Sequence, residues 1–237
     1  MNKIDELQSI IDNSKHIVFF SGAGISTLSG LKDFRGKDGL YKMKYKYPVE
    51  EMLSHHFFIN NMNEFYDFYK TYFRLDNIKP NIIHEYLVKL EDKKRVTIIT
   101  QNIDNLHTMA GSSCVLELHG NITRNYCMKC NKFYDYDYVF KGKEIPKCSC
   151  GGIVKPDVVL YEEELNYDIL DQAINALENA DTMIVAGTSL SVYPASGLIR
   201  YFKGKNLVII NNSITNYDNI ATLVINDDLK NVFTKLK

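Results

Sequence analysis

Apolar residues follow two rhythms along this chain. Ile4, Leu7, Ile10 and Ile11 recur at helical spacing, predicting an amphipathic opening helix. Short runs rich in β-branched and aromatic residues follow at 16–20, 96–99, 115–118, 158–161, 182–186, 207–210 and 222–225, and each reads as a strand. Several are apolar throughout rather than alternating, as strands covered on both faces are. Helical spacing returns between them: Ile82, Ile83, Tyr86, Leu87 and Leu90 after Pro80, then residues 168–180, residues 194–202 and a closing segment from Asp228. Strand and helix in alternation predict an α/β fold on a buried parallel sheet.

The polar positions carry the second signal, because they gather where strands should stop. Gly22-Ala23-Gly24-Ile25-Ser26 follows the first run, after which a helix is predicted. Thr100-Gln101-Asn102-Ile103-Asp104 follows the second, and His119-Gly120-Asn121 the third. Gly187-Thr188-Ser189 and Asn211-Asn212-Ser213 close two later runs. A helix cap and polar turn would account for Asp104 and Asn105, but not for Gln101 and Asn102 as well. In open α/β sheets the carboxyl ends of the strands are where ligands bind. Such clusters at five ends imply one long crevice for a polar ligand of dinucleotide size. His119 stands at such an end with a side chain that titrates near neutrality. His16, His84 and His107 lie in or beside apolar periodic stretches and read as structural; His55 and His56 read as loop or helix start.

Gly22-x-Gly24 after a strand suits a phosphate approaching backbone amides. The full dinucleotide fingerprint wants a third glycine where Thr27 stands, and an acid at the end of a second strand. Residues 42–47 occupy that place and are lysine, tyrosine and methionine. An ordinary nicotinamide dehydrogenase is therefore disfavoured. Between residues 43 and 74 the rhythm changes, and Phe65, Phe68, Tyr69, Tyr72 and Phe73 form a helical stripe. The stripe reads as the core of a helical insertion that packs against the sheet and walls a pocket.

Composition narrows the picture. A chain of 237 residues with 45% hydrophobic and 24% charged positions has room for one α/β core and a small appended module. A net charge of −1 gives no case for nucleic-acid or membrane binding, and no apolar stretch approaches the ~20 residues of a membrane span. The opening helix lacks a signal peptide's apolar core, so a cytoplasmic location is expected. Cys127-x-x-Cys130 and Cys148-x-Cys150-Gly151-Gly152 then read as two knuckles of a closed, structural zinc site, since clustered cysteines in a cytosolic chain favour metal over disulfides. The module is too small to hold a core, so the metal supplies its folding free energy. The residues between the knuckles balance acids against lysines and show no basic face for DNA. Cys114 stands apart and reads as a small buried hydrophobe.

Taken in order, Gly22-Ala23-Gly24-Ile25-Ser26, Thr100-Gln101-Asn102-Ile103-Asp104, His119-Gly120-Asn121, the cysteine knuckles and Gly187-Thr188-Ser189 resemble the sirtuin family of NAD-dependent protein deacylases, and a compact bacterial-type member of it. The resemblance implies a Rossmann-like NAD-binding domain (1–35 with 80–120 and 155–237). It also implies a small domain made of the helical insertion (36–79) and the zinc ribbon (121–154). It implies that Gly22, Ala23, Gly24 and Thr27 meet the pyrophosphate, and that Phe34 and Arg35 belong to a cofactor loop. Gly187, Thr188, Ser189, Asn211, Asn212 and Asp228 would hold the adenosine half. Gln101 would bind the ribose, and Asn102, Ile103 and Asp104 would shape the nicotinamide pocket. His119 would be the general base, with Asn102 as the second catalytic residue.

By the same resemblance Val158, Val159, Leu160 and Tyr161 would line a lysine tunnel and, with Val192 and Tyr193, pair with an acetylated protein substrate as an added strand. The products would be free lysine, nicotinamide and O-acetyl-ADP-ribose. NAD glycohydrolysis or ADP-ribosyl transfer in the same pocket, and a non-catalytic NAD-sensing zinc module, are the alternatives. Three departures stand out. The second knuckle is one residue short, which implies strain at the zinc. Glu162 stands where relatives often have glycine. Tyr66-x-x-Tyr69 replaces the Tyr-x-x-Arg of members that remove acidic acyl groups, which implies a preference for neutral ones.

Overall fold

The computed structural model describes residues 2–36, 38–142 and 144–237. Helix α1 (Lys3–Asn13), capped by Asn2, buries Leu7 and Ile11 and leads into β1 (His16–Ser21). A 3-10 helix, Ala23–Ser29, follows, then α2 (Val49–Met52), α3 (His55–Asn60), α4 (Met62–Tyr72) and α5 (Ile82–Glu91). Next come β2 (Arg95–Thr100), α6 (Leu106–Ala110), β3 (Val115–Glu117), β4 (Gly120–Cys127), β5 (Phe133–Asp135), α7 (Tyr136–Lys141) and β6 (Val154–Val158). The chain closes with α8 (Tyr167–Asn179), β7 (Thr182–Ala186), a 3-10 helix at Ala195–Tyr201, β8 (Asn206–Ile210), β9 (Leu223–Ile225) and α9 (Leu229–Phe233).

Six strands form one parallel sheet in the order β3-β2-β1-β7-β8-β9. This is the doubly wound, Rossmann-type order, whose direction of winding reverses between β1 and β7. Both faces are dry, as the apolar runs predict. Ile17, Phe19, Ile98, Ile184 and Val208 face a core shared with α1, α5 and α9. Val18, Phe20, Ile99, Met183 and Ile209 face one shared with α8. Burying both faces confines polar side chains largely to the strand ends; Thr97 within β2 is paired with His16 Nε2 at 3.1 Å.

A second, antiparallel sheet of β5-β4-β6 is attached where β3 runs into β4. Its core is common property: Val139, Phe140, Ile122 and Val154 pack with Leu40, Phe57, Phe58, Phe65 and Tyr69 of the helical insertion. Two segments far apart in sequence thus share one hydrophobic cluster, and the aromatic stripe of α4 is part of it. Among the described residues no helix is long and apolar enough to cross a membrane.

The structure corrects several local expectations. The segments after Gly22 and Pro194 are 3-10 rather than α-helical. In the first, the Gly24 N–H is drawn to Gly187 O of the neighbouring loop at 2.8 Å, and Thr27 Oγ1 donates to Gly24 O at 2.8 Å. In the second, Gly197 inside the segment weakens any α-helical tendency. Residues 158–161 are not a strand of the main sheet: Val158 ends β6, and the chain then peels away, with Val159 N donating to His119 O and Tyr161 N to Leu53 O. Strand β4 carried no apolar run to announce it. Cys114 is exposed, not buried, because it enters β3, the edge strand, where no further strand covers it.

Candidate active site

The five polar clusters terminate β2, β1, β7, β8 and β3, all at the carboxyl edge of one parallel sheet. Hydrogen bonds run from each to the next. Leu118 N donates to Thr100 O, Gln101 N to Ser21 O, Gly22 N to Ala186 O, Gly187 N to Ile210 O and Asn211 N to Ile225 O. At roughly 4.8 Å per strand, five adjacent ends make a row of about 19 Å, the span of an extended dinucleotide. The winding reversal puts the glycine turns after β1 and β7 back to back. A Cβ on Gly24 would lie 2.7 Å from Gly187 O, and one on Gly22 would lie 2.5 Å from Thr188 Cβ. The turns can touch only because both are bare, and their Gly22, Gly24 and Gly187 amides are spent on Ala186 O, Gly187 O and Ile210 O.

That crevice is a cavity of about 700 Å³ with two chemically distinct sides. Gly22, Ala23, Gly24, Thr27, Gly187, Thr188, Ser189, Asn211 and Asn212 make the polar side. Leu40, Leu53, Tyr69, Phe73, Ile122, Val158, Val159 and Leu160 make an apolar one, drawn largely from the cluster shared by insertion and ribbon. Gln101, Asn102, Ile103, Asp104 and His119 lie on its lining, as do Phe34, Arg35, Tyr161, Val192 and Tyr193. Asp228 is not among the lining residues. Its carboxylate caps α9 by accepting from Lys230 N at 2.8 Å, and Leu229 lines the cavity beside it.

The side chains of the second cluster are held rather than free. Both donors of the Asn102 amide are engaged, with Gly22 O at 3.1 Å and Ser26 Oγ at 3.0 Å, so its carbonyl oxygen is the group left for a ligand or water. Asp104 accepts from Ser26 Oγ at 2.6 Å and from Leu106 N at 3.0 Å. Burial pushes its carboxyl up, while those two donors draw it down. Gln101 Nε2 donates to Thr188 Oγ1 at 3.1 Å and bridges two clusters. Ser26 was part of a predicted cluster, but its part in orienting Asn102 and Asp104 carried no sequence signal.

His119 is fixed from behind. Its Nδ1–H donates to Gln101 O at 2.9 Å, which leaves Nε2 as the basic nitrogen. Burial holds the imidazole below its usual 6.5, against the raising effect of the Gln101 carbonyl, so the neutral form dominates at pH 7. The next residue must be glycine: at Gly120 φ is +77° and a Cβ would lie 2.0 Å from Asp157 O. Asn121 then clamps the turn by donating to Asn105 Oδ1 at 2.8 Å and Glu117 Oε1 at 2.6 Å.

His84 and His107 are structural, as their apolar settings predict. Both are buried, with ring centres 4.8 Å apart. Burial lowers His84 to about 4; burial and then the neighbouring His84 lower His107 to about 3. Phe34 and Arg35 are pinned to the insertion: Phe34 packs on Tyr41 and Phe73, and the Arg35 guanidinium sits 4.8 Å over the Tyr41 ring.

The cysteines form a separate centre. All four sulfurs lie within 4.8 Å of one another, and three of the separations are 3.5, 3.6 and 3.5 Å. A tetrahedral zinc with Zn–S bonds of about 2.3 Å needs sulfurs about 3.8 Å apart, so the set fits that ion. The Cys150 N–H directed at Cys148 Sγ draws that thiol down to about 5, towards the thiolate a metal requires. The shortened knuckle therefore closes. Gly152 is what permits it, since a Cβ there would meet Cys127 Sγ at 2.6 Å.

Residues 22–194 match the model of the Sir2 family. The chain belongs to the Sir2 family. It is 54% identical to an NAD-dependent protein deacetylase of Clostridium acetobutylicum, over 98% of this chain and 97% of that one. With the NAD-dependent protein deacetylase of Clostridium tetani it shares 53% identity over 98% and 96% of the two chains. Among Sir2 structures, one holding deacetylated p53 peptide and 3'-O-acetyl ADP ribose superposes with a TM-score of 0.89 at 39% identity, over 98% of this chain and 96% of that one. A Sir2–p53 peptide–NAD complex superposes at 0.86 with 38% identity over the same shares.

Proposed function

We propose that this protein is an NAD-dependent protein-lysine deacetylase that acts on neutral acyl groups and releases free lysine, nicotinamide and O-acetyl-ADP-ribose. The observation that carries the reading is the two-sided cavity with His119 and Asn102 between its sides. Residues 1–35, 80–120 and 155–237 form the NAD-binding part in this reading, and residues 36–79 and 121–154 the small domain. NAD extends along the strand ends. Gly22, Ala23, Gly24 and Thr27 receive the pyrophosphate; Gly187, Thr188, Ser189, Asn211 and Asn212, with Asp228 nearby, receive the adenosine. Gln101 meets the nicotinamide-side ribose, with Asn102, Ile103 and Asp104 around the nicotinamide and Phe34 and Arg35 covering it.

An acetyl-lysine amide is a weak nucleophile, so its oxygen must be held against the anomeric carbon while nicotinamide departs and water is kept out. The apolar side of the cavity does this, with Val158, Leu160, Tyr161, Val192 and Tyr193 lining the approach. The carbonyl of Val159 accepts no hydrogen bond among the described residues and is left for the amide N–H. His119 Nε2 then takes the proton of a ribose hydroxyl as that oxygen attacks the amide carbon. The four-thiolate zinc has no open position and is structural. Its need for reduced thiols supports a cytoplasmic location.

The test is nicotinamide release from NAD with and without an acetyl-lysine peptide. Release by the wild type should require the peptide, and His119→Ala should lower steady-state formation of O-acetyl-ADP-ribose by about 10²–10⁴-fold, because its step follows nicotinamide departure. Release indifferent to peptide would instead mark a glycohydrolase.

A further inference from the structure

The backbone between Val158 and Tyr161 is almost fully occupied before any peptide arrives. Val158 O accepts from Lys155 Nζ at 2.8 Å, and Val159 N donates to His119 O at 3.0 Å. Leu160 N donates to Glu163 Oε2 at 2.9 Å, and Leu160 O accepts from Glu163 N at 3.1 Å. Tyr161 N donates to Leu53 O, and Tyr161 O accepts from His55 N, both at 2.9 Å. One residue recurs in this inventory. Besides accepting from Leu160 N, the Glu163 carboxylate accepts from Lys155 Nζ at 3.0 Å and meets His55 Nδ1 at 2.8 Å, while the Glu163 backbone N–H holds Leu160 O. It is four-fifths buried, its side chain 20% exposed, and Lys155 is 19% exposed. Burial alone would push its carboxyl up, but His55, the Leu160 N–H and Lys155 bring it below the usual glutamate value.

We propose that Glu163 is a positioning residue for the acyl-lysine peptide: with Lys155 and His55 it occupies the neighbouring backbone groups, so that Val159 O alone is offered to the incoming amide. The proposal rests on the deacetylase reading and adds the group that selects the docking register. Two competing registers are the hazard. Were Val158 O or Leu160 N free, each would be a hydrogen-bonding group within two residues of Val159 O. A peptide bound there would shift along the segment and carry the acyl group away from His119. The carboxylate also joins three elements that must agree for the tunnel to have one shape. Lys155 lies on β6, His55 opens α3, and Leu160 lies on the tunnel wall itself. A partly buried charge paired on two sides resists rearrangement more than an apolar contact would, because every alternative leaves a charge or an N–H unpaired.

Steady-state kinetics with varied acetyl-lysine peptide and varied NAD test this in the full-length zinc-loaded protein. Glu163→Ala should lower kcat and the peptide KM together by about tenfold, while kcat/KM for the peptide and the NAD KM stay within about threefold, the pattern of a peptide held in unproductive registers. Glu163→Gln keeps an acceptor for Leu160 N, and should recover part of the loss. Lys155→Met frees Val158 O and should lower kcat and the peptide KM as well; these two variants carry the test if Glu163→Ala does not fold. A kcat within about twofold of wild type in the variants that fold overturns the proposal, as does a rise in both KM values together. Wild-type protein without peptide-dependent turnover would overturn the deacetylase reading itself, and the proposal with it.

Discussion

The parallel sheet and the small antiparallel sheet reach order by opposite routes. The parallel sheet is sealed on both faces by apolar side chains and needs no ion, so its polar residues are largely confined to one edge and form the dinucleotide row. The small sheet has three strands, two of them of 3 and 5 residues, and one layer of core borrowed from the helical insertion. Its far end is held by four sulfurs. The cavity lies between a self-sufficient wall and a dependent one. The wall that faces the acetylated protein substrate is the one whose stability is conditional.

Metal removal should break this contrast most sharply. Structural zinc contributes roughly 10–16 kcal/mol to the folding of small thiolate modules. Chelation, or Cys148→Ser, should therefore disorder the small sheet and abolish peptide-dependent turnover, while most of the far-UV signal of the parallel core persists. One zinc per chain by elemental analysis is expected, and activity that survives complete zinc loss would contradict the division.

The parallel core has its own condition, which is acid rather than metal. His84 and His107 are lowered by burial to about 4 and about 3, so the unfolded chain takes up protons first, near 6.5, as the pH falls. Their neutral-state stabilisation is complete above 6.5 and is lost progressively below it, by roughly 2 kcal/mol per histidine at pH 5. Urea titrations across that range should show the slope, and His84→Gln should flatten it.

The smallest expected effect concerns the acyl end. Helix α4 presents Tyr69 and Tyr72 to the cavity, and Tyr66 OH is spent on Val154 O. A succinyl carboxylate would lose its hydration against this aromatic wall, and kcat/KM for succinyl-lysine should fall below that for acetyl-lysine by about tenfold or more. Comparable turnover would show that Arg35 or Lys32, elsewhere on the lining, reaches the acyl group.

Much of this was legible in the residues because it is local. Buried strands announce themselves as apolar runs, the turns after them as small and polar residues, and a thiolate site as cysteine spacing; the sequence alone determined these, down to the exit points of five strands. What lay beyond it were relations across distance. The stacking of Gly22 and Gly24 on Gly187 comes from the winding reversal. Cys114 is open because its strand happens to be at the edge, and Glu163 holds a segment whose other partner, His55, lies 108 residues earlier. Strand 120–127 has no apolar run because Asn121, Arg124 and Asn125 are spent on Asn105, Glu117, Asp157 and the β5 backbone, while Ile122 and Cys127 face a borrowed core. Local periodicity records which residues prefer to be buried. Only the folded chain decides what they are buried against, and which backbone groups are left open.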